Sequence, residues 1–254
     1  MQDLKGKVVI ITGASTPQGI GRAIARRFAK AGASLFLVAE ATAAQLAEAS
    51  AECRANSHAG RVETSLVDLG KAGAAEQMIR DAHALFGRID VLVNNAAIRS
   101  PYDFGDYTRD QFDASIAVNL AAPFFASQTV VPYMREQGGG RIIHIASQLG
   151  HVTYAQRALY GLTKAALIHL TKSMAYELGK DNILVNAISP GPIATQATLN
   201  RDPEVTRKRV EQYLPIGRVG TPEEIADLAL YLATESPHFL QGQDIVIDGG
   251  YTIH

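Results

Sequence analysis

The chain holds one cysteine, no tryptophan and no surplus of charge of either sign, and each shortage removes a class of protein. Cys53 alone cannot form an intrachain disulfide, which excludes a secreted scaffold held by cystines and any zinc site built on several thiolates. The 24 basic residues against 25 acidic ones leave a net charge of −1, so the basic excess that accompanies nucleic-acid binding is missing. No uninterrupted apolar run approaches the roughly 18 residues of a membrane-spanning helix. The opening MQDLKGKVVIITG mixes both charge signs ahead of a run of only four apolar residues, so no secretory signal is expected there. Repeats and low-complexity tracts are also absent. These absences together predict a soluble, cytoplasmic protein that binds neither nucleic acid nor membrane.

What is present is length and alternation. At 254 residues and 27.2 kDa, area scaling gives a folded surface of roughly 11,000 Å², enough burial for a core without disulfide or metal support. Seven short apolar runs recur along the chain: Lys7–Thr12, Ser34–Ala39, Val62–Val67, Ile89–Val93, Arg141–Ala146, Ile183–Ile188 and Asp244–Ile247. They read as strands buried on both faces of a parallel sheet. Between them lie segments of helix composition, Ile20–Lys30, Ala43–Arg54, Ala72–Phe86, Gln111–Arg135, Ala158–Leu178 and Glu223–Ala233. Thr108 with Gln111, and Thr221 with Glu224 behind Pro222, have the spacing of capping boxes. The alternation predicts a single α/β domain, a doubly wound (Rossmann) parallel sheet of about seven strands with helices on both faces. The charged stretch Arg201–Gln212 breaks the pattern. It reads either as a solvated helical insertion or as a substrate lid spanning about residues 193–215.

The first strand runs into TGASTPQGIGRA, which brings Gly13, Gly19 and Gly21 ahead of a helix. Glycines there let backbone approach a pyrophosphate, while a helix N-terminus supplies amide donors and a positive dipole end. The spacing is not the common dinucleotide fingerprint, so a ligand-free turn is the competing reading. Glu40 closes the second strand 19 residues beyond Gly21, where an acid is expected to bind the ribose 2′-hydroxyl of NAD and repel a 2′-phosphate. Tyr160 and Lys164 stand four apart in a helical segment and so share one face. A nearby ammonium favours the phenolate and makes a general acid/base near neutral pH chemically accessible. By spacing alone, such a pair is most often a surface contact.

The combination resembles the short-chain dehydrogenase/reductase family over essentially the full length. The matching motifs occur in the family's order: the TG…GIG loop, Asp68–Leu69, NNAA at Asn94–Ala97, Asn119 in AVNLAAPF, Ser147 in IIHIAS, YGLTK, SPGPIAT from Ser189, and GQDIVIDGG. The resemblance implies that Tyr160 moves the substrate proton and that Lys164 lowers its pKa and holds the nicotinamide ribose. It implies a hydrogen bond from Ser147 to the substrate oxygen and a relay water anchored by Asn119. It further implies a nucleotide site built by Gly13, Ser15, Gly19, Ile20, Gly21, Glu40, Asp68, Leu69, Asn95, Ala96, Ala97, Tyr160, Lys164, Pro190, Gly191, Ile193 and Thr195.

Two departures matter. The loop is two residues longer than the family's usual one, which leaves open whether Ser15, Thr16 or Gln18 meets phosphate. That length resembles the enoyl-thioester reductase branch, but that branch places its lysine seven residues after its tyrosine, and position 167 here is Leu. Carbonyl/alcohol chemistry is therefore expected. Glu40 lies one position beyond the family's usual NAD-selecting aspartate, and Gln18 stands where NADP-preferring members often carry a cation; NAD is expected, with NADP open. Arg99, Gln148, His151, Gln156 and Arg157, with Ser147 and Tyr160, are the candidate substrate residues. They point to a polyol, sugar, sugar acid or hydroxy acid. The alternatives are a 3-oxoacyl thioester on an acyl carrier protein and, in another class, a non-catalytic sensor of nicotinamide nucleotides. His58, His83, His144, His169, His238 and His254 have no metal-ligand spacing, so no metal is expected. The family usually forms tetramers through its long fifth and sixth helices, so a homotetramer is expected, with small residues such as Ala122, Ala126 and Ala165 permitting close packing.

Overall fold

A computed structural model describes residues 3–40, 42–56, 58–200 and 202–253; of the positions named above, Arg201 and His254 lie outside them. Seven strands form one all-parallel sheet in the order β3-β2-β1-β4-β5-β6-β7. They are β1 (Val8–Thr12), β2 (Ser34–Ala39), β3 (Val62–Leu66), β4 (Val91–Asn94), β5 (Gly140–Ile145), β6 (Ile183–Pro190) and β7 (Asp244–Ile247). The major helices are α1 (Ile20–Lys30), α2 (Ala43–Arg54), α3 (Ala74–Phe86), α4 (Arg109–Ile116), α5 (Ala122–Glu136), α6 (Ala158–Leu178), α7 (Gln196–Leu199), α8 (Pro203–Tyr213) and α9 (Pro222–Ala233). The doubly wound single sheet is the expected one.

Side chains alternate between the two faces of a strand, and here both faces are covered. Val9 and Ile11 of β1 join Ala23, Ile24 and Phe28 of α1 and Ile225 and Ala229 of α9 in one core layer. Ile10 joins Met78 and Ile79 of α3 and Ala126 and Val130 of α5 in the other. Continuous apolar runs follow from that double burial in the central strands. At the edges the expectation fails. β3 carries Glu63, Thr64 and Ser65 with alternating exposure, and Val246 of β7 is exposed, because an edge strand has a neighbour on one side only.

The expected helix Gln111–Arg135 spans Arg109–Glu136 but is interrupted by a π turn at Ala117–Ala121. Both capping boxes form, at Thr108–Gln111 and Thr221–Glu224. By length and composition the Arg109–Glu136 stretch would suit a membrane. Ala122, Ala126, Val130 and Met134 instead bury against the sheet, so it is a core helix. The same burial commits Ala122 and Ala126 to the core, whereas Ala165 is exposed.

His144 of β5 lies wholly inside. Its Nδ1 accepts from Asn94 Nδ2 at 3.2 Å, and its Nε2 is buried without a partner. Burial, reinforced by the Lys164 charge, pushes its pKa down to about 3. A histidine in the unfolded chain titrates near ~6.5, so between those values only the unfolded state binds the proton. The contribution of neutral His144 is therefore intact above pH ~6.5 and is lost as pH falls toward 3. We expect one proton's slope, about 1.4 kcal/mol per pH unit, in wild-type stability across acid denaturant melts, and its disappearance in His144→Leu. Identical slopes in the two proteins would contradict the buried neutral state.

Candidate active site

The sheet order reverses between β1 and β4, and this is where a doubly wound sheet opens a crevice at its carboxyl edge. Thr12, the last residue of β1, accepts at Oγ1 from the backbone amides of Asn95 and Ala96, each at 3.0 Å. The Asn95 side chain returns the contact, donating to the carbonyls of Thr12 at 2.8 Å and Gly13 at 3.1 Å. The ends of the two strands are thereby locked to each other across the crevice.

The glycine loop is shaped by that lock. Gly13 adopts φ +68°, and a Cβ there would stand 2.9 Å from Ala96 Cα and from Asn95 Nδ2. A Cβ on Gly21 would press on the Gly13 carbonyl and come within 2.5 Å of Asn95 Nδ2. The loop therefore packs so closely that only hydrogen fits. Helix α1 begins at Gly19 with no side-chain cap and no acidic residue in its first turn, which leaves its first amides for an anion. Of the loop residues left open above, Thr16 lines the crevice with Gly19, Ile20 and Gly21. Ser15 is buried behind it, its carbonyl held at 3.2 Å by Arg22, whose guanidinium also meets Glu48 and Glu52.

Asn119 sits in the π turn, where the widened backbone points its amide toward the loop after β4. Its Oδ1 accepts from the Ile98 amide at 2.8 Å, and its Nδ2 donates to the Ile98 carbonyl at 3.0 Å and to Thr163 Oγ1 at 3.2 Å. Thr163 Oγ1 in turn donates to the Tyr160 carbonyl at 2.8 Å. One buried amide thus ties the loop carrying Arg99 to the helical turn carrying Tyr160.

Lys164 is buried, with Nζ donating to the Ile145 carbonyl at 2.7 Å and lying 5.6 Å from the Tyr160 ring centre. Burial lowers its pKa from the usual lysine range; Tyr160 opposes the shift and the Arg99 charge adds to it. Ser147, at the carboxyl edge beyond β5, accepts from the Leu149 amide at 3.1 Å. That bond uses an oxygen lone pair and leaves the hydroxyl proton to be donated.

Two clefts meet at these residues. The larger, enclosing about 1190 Å³ of solvent-open space, is lined by the glycine loop, Asn95–Ala97, Ser147, Tyr160, Lys164, Pro190, Gly191, Ile193 and Thr195. Gln196 and Ala197 of α7 also line it. Thr195 Oγ1 is buried there without a partner. Close-packed glycines, an uncapped helix start and an unpaired hydroxyl are features that fit a dinucleotide. Glu40 is exposed at the end of β2, Asp68 is half-buried past β3 with Oδ1 accepting from the Gly70 amide, and Leu69 packs into the core; none of the three lines the cleft.

The second cleft, of about 760 Å³, shares Arg99, Ser147, Tyr160, Gly191 and Ile193 with the first and adds Gln148 and Arg157. Its far wall is Thr198, Val205, Thr206, Val210, Leu214 and Val219. These were not singled out in the sequence, although Val205, Val210 and Leu214 form an apolar stripe in an otherwise charged segment. The segment is closed at its base: the amide of Ala194 donates to the Gly220 carbonyl at 2.8 Å, and the amide of Gly220 to the Pro192 carbonyl at 2.9 Å.

His151 and Gln156 are not where they were expected. His151 turns to Asp244 at 2.5 Å, in a separate depression that also includes Lys172 and Tyr176. Gln156 is exposed at φ +61°, with its carbonyl holding Arg157 at 2.7 Å. Both lie in the loop before α6, whose course no periodicity encodes. Among the described residues no three His, Cys, Asp or Glu side chains converge as a metal set.

Comparison with known proteins agrees with this geometry. A family model described as enoyl-(acyl carrier protein) reductase matches residues 13–252. The 3-oxoacyl-[acyl-carrier-protein] reductase of Aquifex aeolicus is 36% identical over 247 residues, covering 97% of this chain and 98% of that protein. A solved 7α-hydroxysteroid dehydrogenase, complexed with NADH and 7-oxo glycochenodeoxycholic acid, superposes with a TM-score of 0.91 at 34% identity, covering 98% of this chain and 96% of that one. A 3-oxoacyl (acyl-carrier-protein) reductase from Agrobacterium tumefaciens, solved with NADP bound, gives 0.92 at 32% identity and the same coverage.

Gly21→Ala tests the loop. The added methyl has no space beside Gly13 and Asn95, so the loop must shift. We expect NADH affinity, followed by nucleotide fluorescence, to fall at least about tenfold, equivalent to about 1.4 kcal/mol. Unchanged affinity would mean that the loop does not touch the nucleotide.

Proposed function

The chain belongs to the short-chain dehydrogenase/reductase family of oxidoreductases, and on that premise we propose that it interconverts a secondary alcohol and a ketone with a nicotinamide nucleotide. The observation that carries the reading is the convergence of Ser147, Tyr160 and Lys164 on the cleft bounded by the glycine loop. When bound, the nucleotide supplies a two-electron hydride acceptor or donor. The protein's own groups handle the proton. Ser147 donates a hydrogen bond to the substrate oxygen, and Tyr160 takes the hydroxyl proton as the carbinol C–H bond breaks and the C=O bond forms. Buried Lys164 holds positive charge beside the phenol, which favours the phenolate that the oxidation direction needs. Asn119 keeps the Tyr160 turn and the Arg99 loop in register.

Reduction of a C=C bond is disfavoured because the lysine stands four residues after the tyrosine and Leu167, the alternative position, is buried. NAD is the favoured nucleotide. Glu40 ends β2 exposed, where its carboxylate would accept from a ribose hydroxyl and repel a 2′-phosphate; relatives solved with NADH and with NADP keep both within the family's range. Asp68 and Leu69 would flank the adenine. The preferred substrate is a small polar alcohol such as a polyol, sugar, sugar acid or hydroxy acid, closed in by the flap at residues 193–215.

The likeness to 3-oxoacyl reductases and the apolar face of α8 support a second reading, an acyl thioester. An acidic carrier protein calls for a patch of several unpaired basic residues on the surface beside the cleft, more than a single Arg99 supplies. Arg207 and Lys208 of α8 instead face Glu204 and Glu211. A nucleotide sensor without turnover is disfavoured by the complete set of Asn119, Ser147, Tyr160 and Lys164. We further propose a cytoplasmic homotetramer joined through the outer faces of α5 and α6, where Phe124, Phe125 and Leu162 are exposed; a monomer in micromolar sedimentation runs would refute that.

The test is nicotinamide absorbance with a panel of polyols, sugar acids, hydroxy acids and 3-hydroxyacyl thioesters, using NAD and NADP in parallel. Tyr160→Phe is expected to cost at least about 10²–10⁴-fold in kcat, and residual activity near wild type would refute the proton role. Glu40→Ala should reduce the NAD/NADP ratio of kcat/KM at least about tenfold; an unmoved ratio would make Glu40 a surface residue only.

A further inference from the structure

Cationic side chains gather around the reacting groups. Arg99, Arg157 and Lys164 line the two joined clefts, and no aspartate or glutamate lines either of them. Arg22, Arg26, Arg27, Arg88 and Arg135 pair with carboxylates, while Arg54 and Arg141 donate to backbone carbonyls. Arg99 differs. It has no hydrogen bond or ion pair to any other described residue, and its charge is felt by buried Lys164. Arg99 is exposed, so water screens part of the repulsion between the two charges; an anion seated beside it relieves the remainder and adds direct hydrogen bonds.

The position of Arg99 narrows where such an anion lies. It is one of the five residues common to both clefts, together with Ser147 and Tyr160, so it borders the space in which the substrate would react. Arg157, the residue preceding α6, lines the substrate cleft three positions before Tyr160. The far wall is mostly apolar, Val205, Val210, Leu214 and Val219, with the hydroxyls of Thr198 and Thr206 between them. A neutral polyol would leave the guanidinium without a counter-charge and would meet two threonine hydroxyls on a wall that is otherwise aliphatic. An acyl thioester carries no charge next to its reacting carbon.

Resting on the alcohol-oxidoreductase reading above, we propose that the substrate is a free hydroxy or oxo carboxylate with an apolar chain, its carboxylate held by Arg99 with Arg157 and its chain covered by α8. Guanidinium suits this role because its planar fork presents two parallel donors to a carboxylate. The carboxylate also satisfies the charge that Arg99 otherwise directs at Lys164. Lys164 then keeps its proton more readily with substrate bound than without it.

The experiment compares 2- and 3-hydroxyhexanoate with their methyl esters, using NAD and NADP, in wild type, Arg99→Gln, Arg99→Lys, Arg157→Gln and Tyr160→Phe. A methyl ester keeps the chain and the carbinol and removes only the charge. The proposal expects a wild-type kcat/KM ratio of acid to ester of at least about tenfold, the scale of a charge-assisted hydrogen bond. It expects that ratio to fall toward one in Arg99→Gln, mainly through KM, and to be partly restored in Arg99→Lys. Tyr160-dependent turnover of polyols or esters with no preference for the acid overturns the proposal and leaves the alcohol-oxidoreductase reading standing. So does an Arg99→Gln protein whose loss matches weakened NADH binding while the acid/ester ratio is unmoved, since Arg99 then serves the nucleotide. No Tyr160-dependent turnover of any alcohol overturns both.

Discussion

The Asn95 amide, donating to the Thr12 and Gly13 carbonyls while Thr12 accepts from two amides of the opposite strand end, is the contact on which the site depends. Two parallel strands that lead their crossovers in opposite directions leave a gap at their carboxyl ends. A gap filled by side chains would be ordinary core. Here one carboxamide spans it and satisfies backbone groups on both sides, so the glycine loop is fixed at the height of the crevice without filling it. The close approach of Gly13 and Gly21 to Asn95 follows directly. The uncapped start of α1 then faces open space where an anion can sit.

A second constraint works from the opposite wall. The Lys164 ammonium has left water for a single carbonyl, that of Ile145, and His144 lies behind it neutral in the sheet. Burial on that scale is unfavourable for a cation. It places the lysine beside the Tyr160 ring in a region where its charge is little screened, so a modest displacement of either group changes the interaction strongly. The π turn at Ala117–Ala121 belongs to the same arrangement: it lets Asn119 brace both the Ile98 backbone and, through Thr163, the Tyr160 turn.

Much of this was legible in the residues, and the unreadable parts share a cause. Central strands announce themselves because both faces are buried, and helix starts at Thr108 and Thr221 because capping is a local contract between neighbours. β3 departs from the expected apolar strand because its place at the edge is decided by the order of the sheet, which no single segment encodes. The same holds for His151 and Gln156. Both stand near Tyr160 in sequence, yet the turn at Gln148–Gly150 and the positive φ of Gln156 carry them out of the cleft. Of the loop residues left open, Thr16 lines the crevice and Ser15 does not, because Arg22 draws the Ser15 carbonyl inward. The apolar residues of α8 went unread in a stretch that shows itself as charged, and the cleft they line exists only once the chain has folded.

The paired hydrogen bonds between Pro192–Ala194 and Gly220 make the intervening segment a self-contained loop with fixed ends. The glycine loop, Ser147, Tyr160 and Lys164 lie outside that segment, whereas most of the far wall of the second cleft lies within it. In the proposed reaction, chemistry and selectivity therefore fall to separable stretches of chain. Replacement of the stretch between the two anchors, by mutation over generations or by grafting in the laboratory, can alter which molecules are accepted while the reacting groups keep their geometry. A fold arranged in this way diversifies by exchanging one closed loop, with little need to rebuild its catalytic centre.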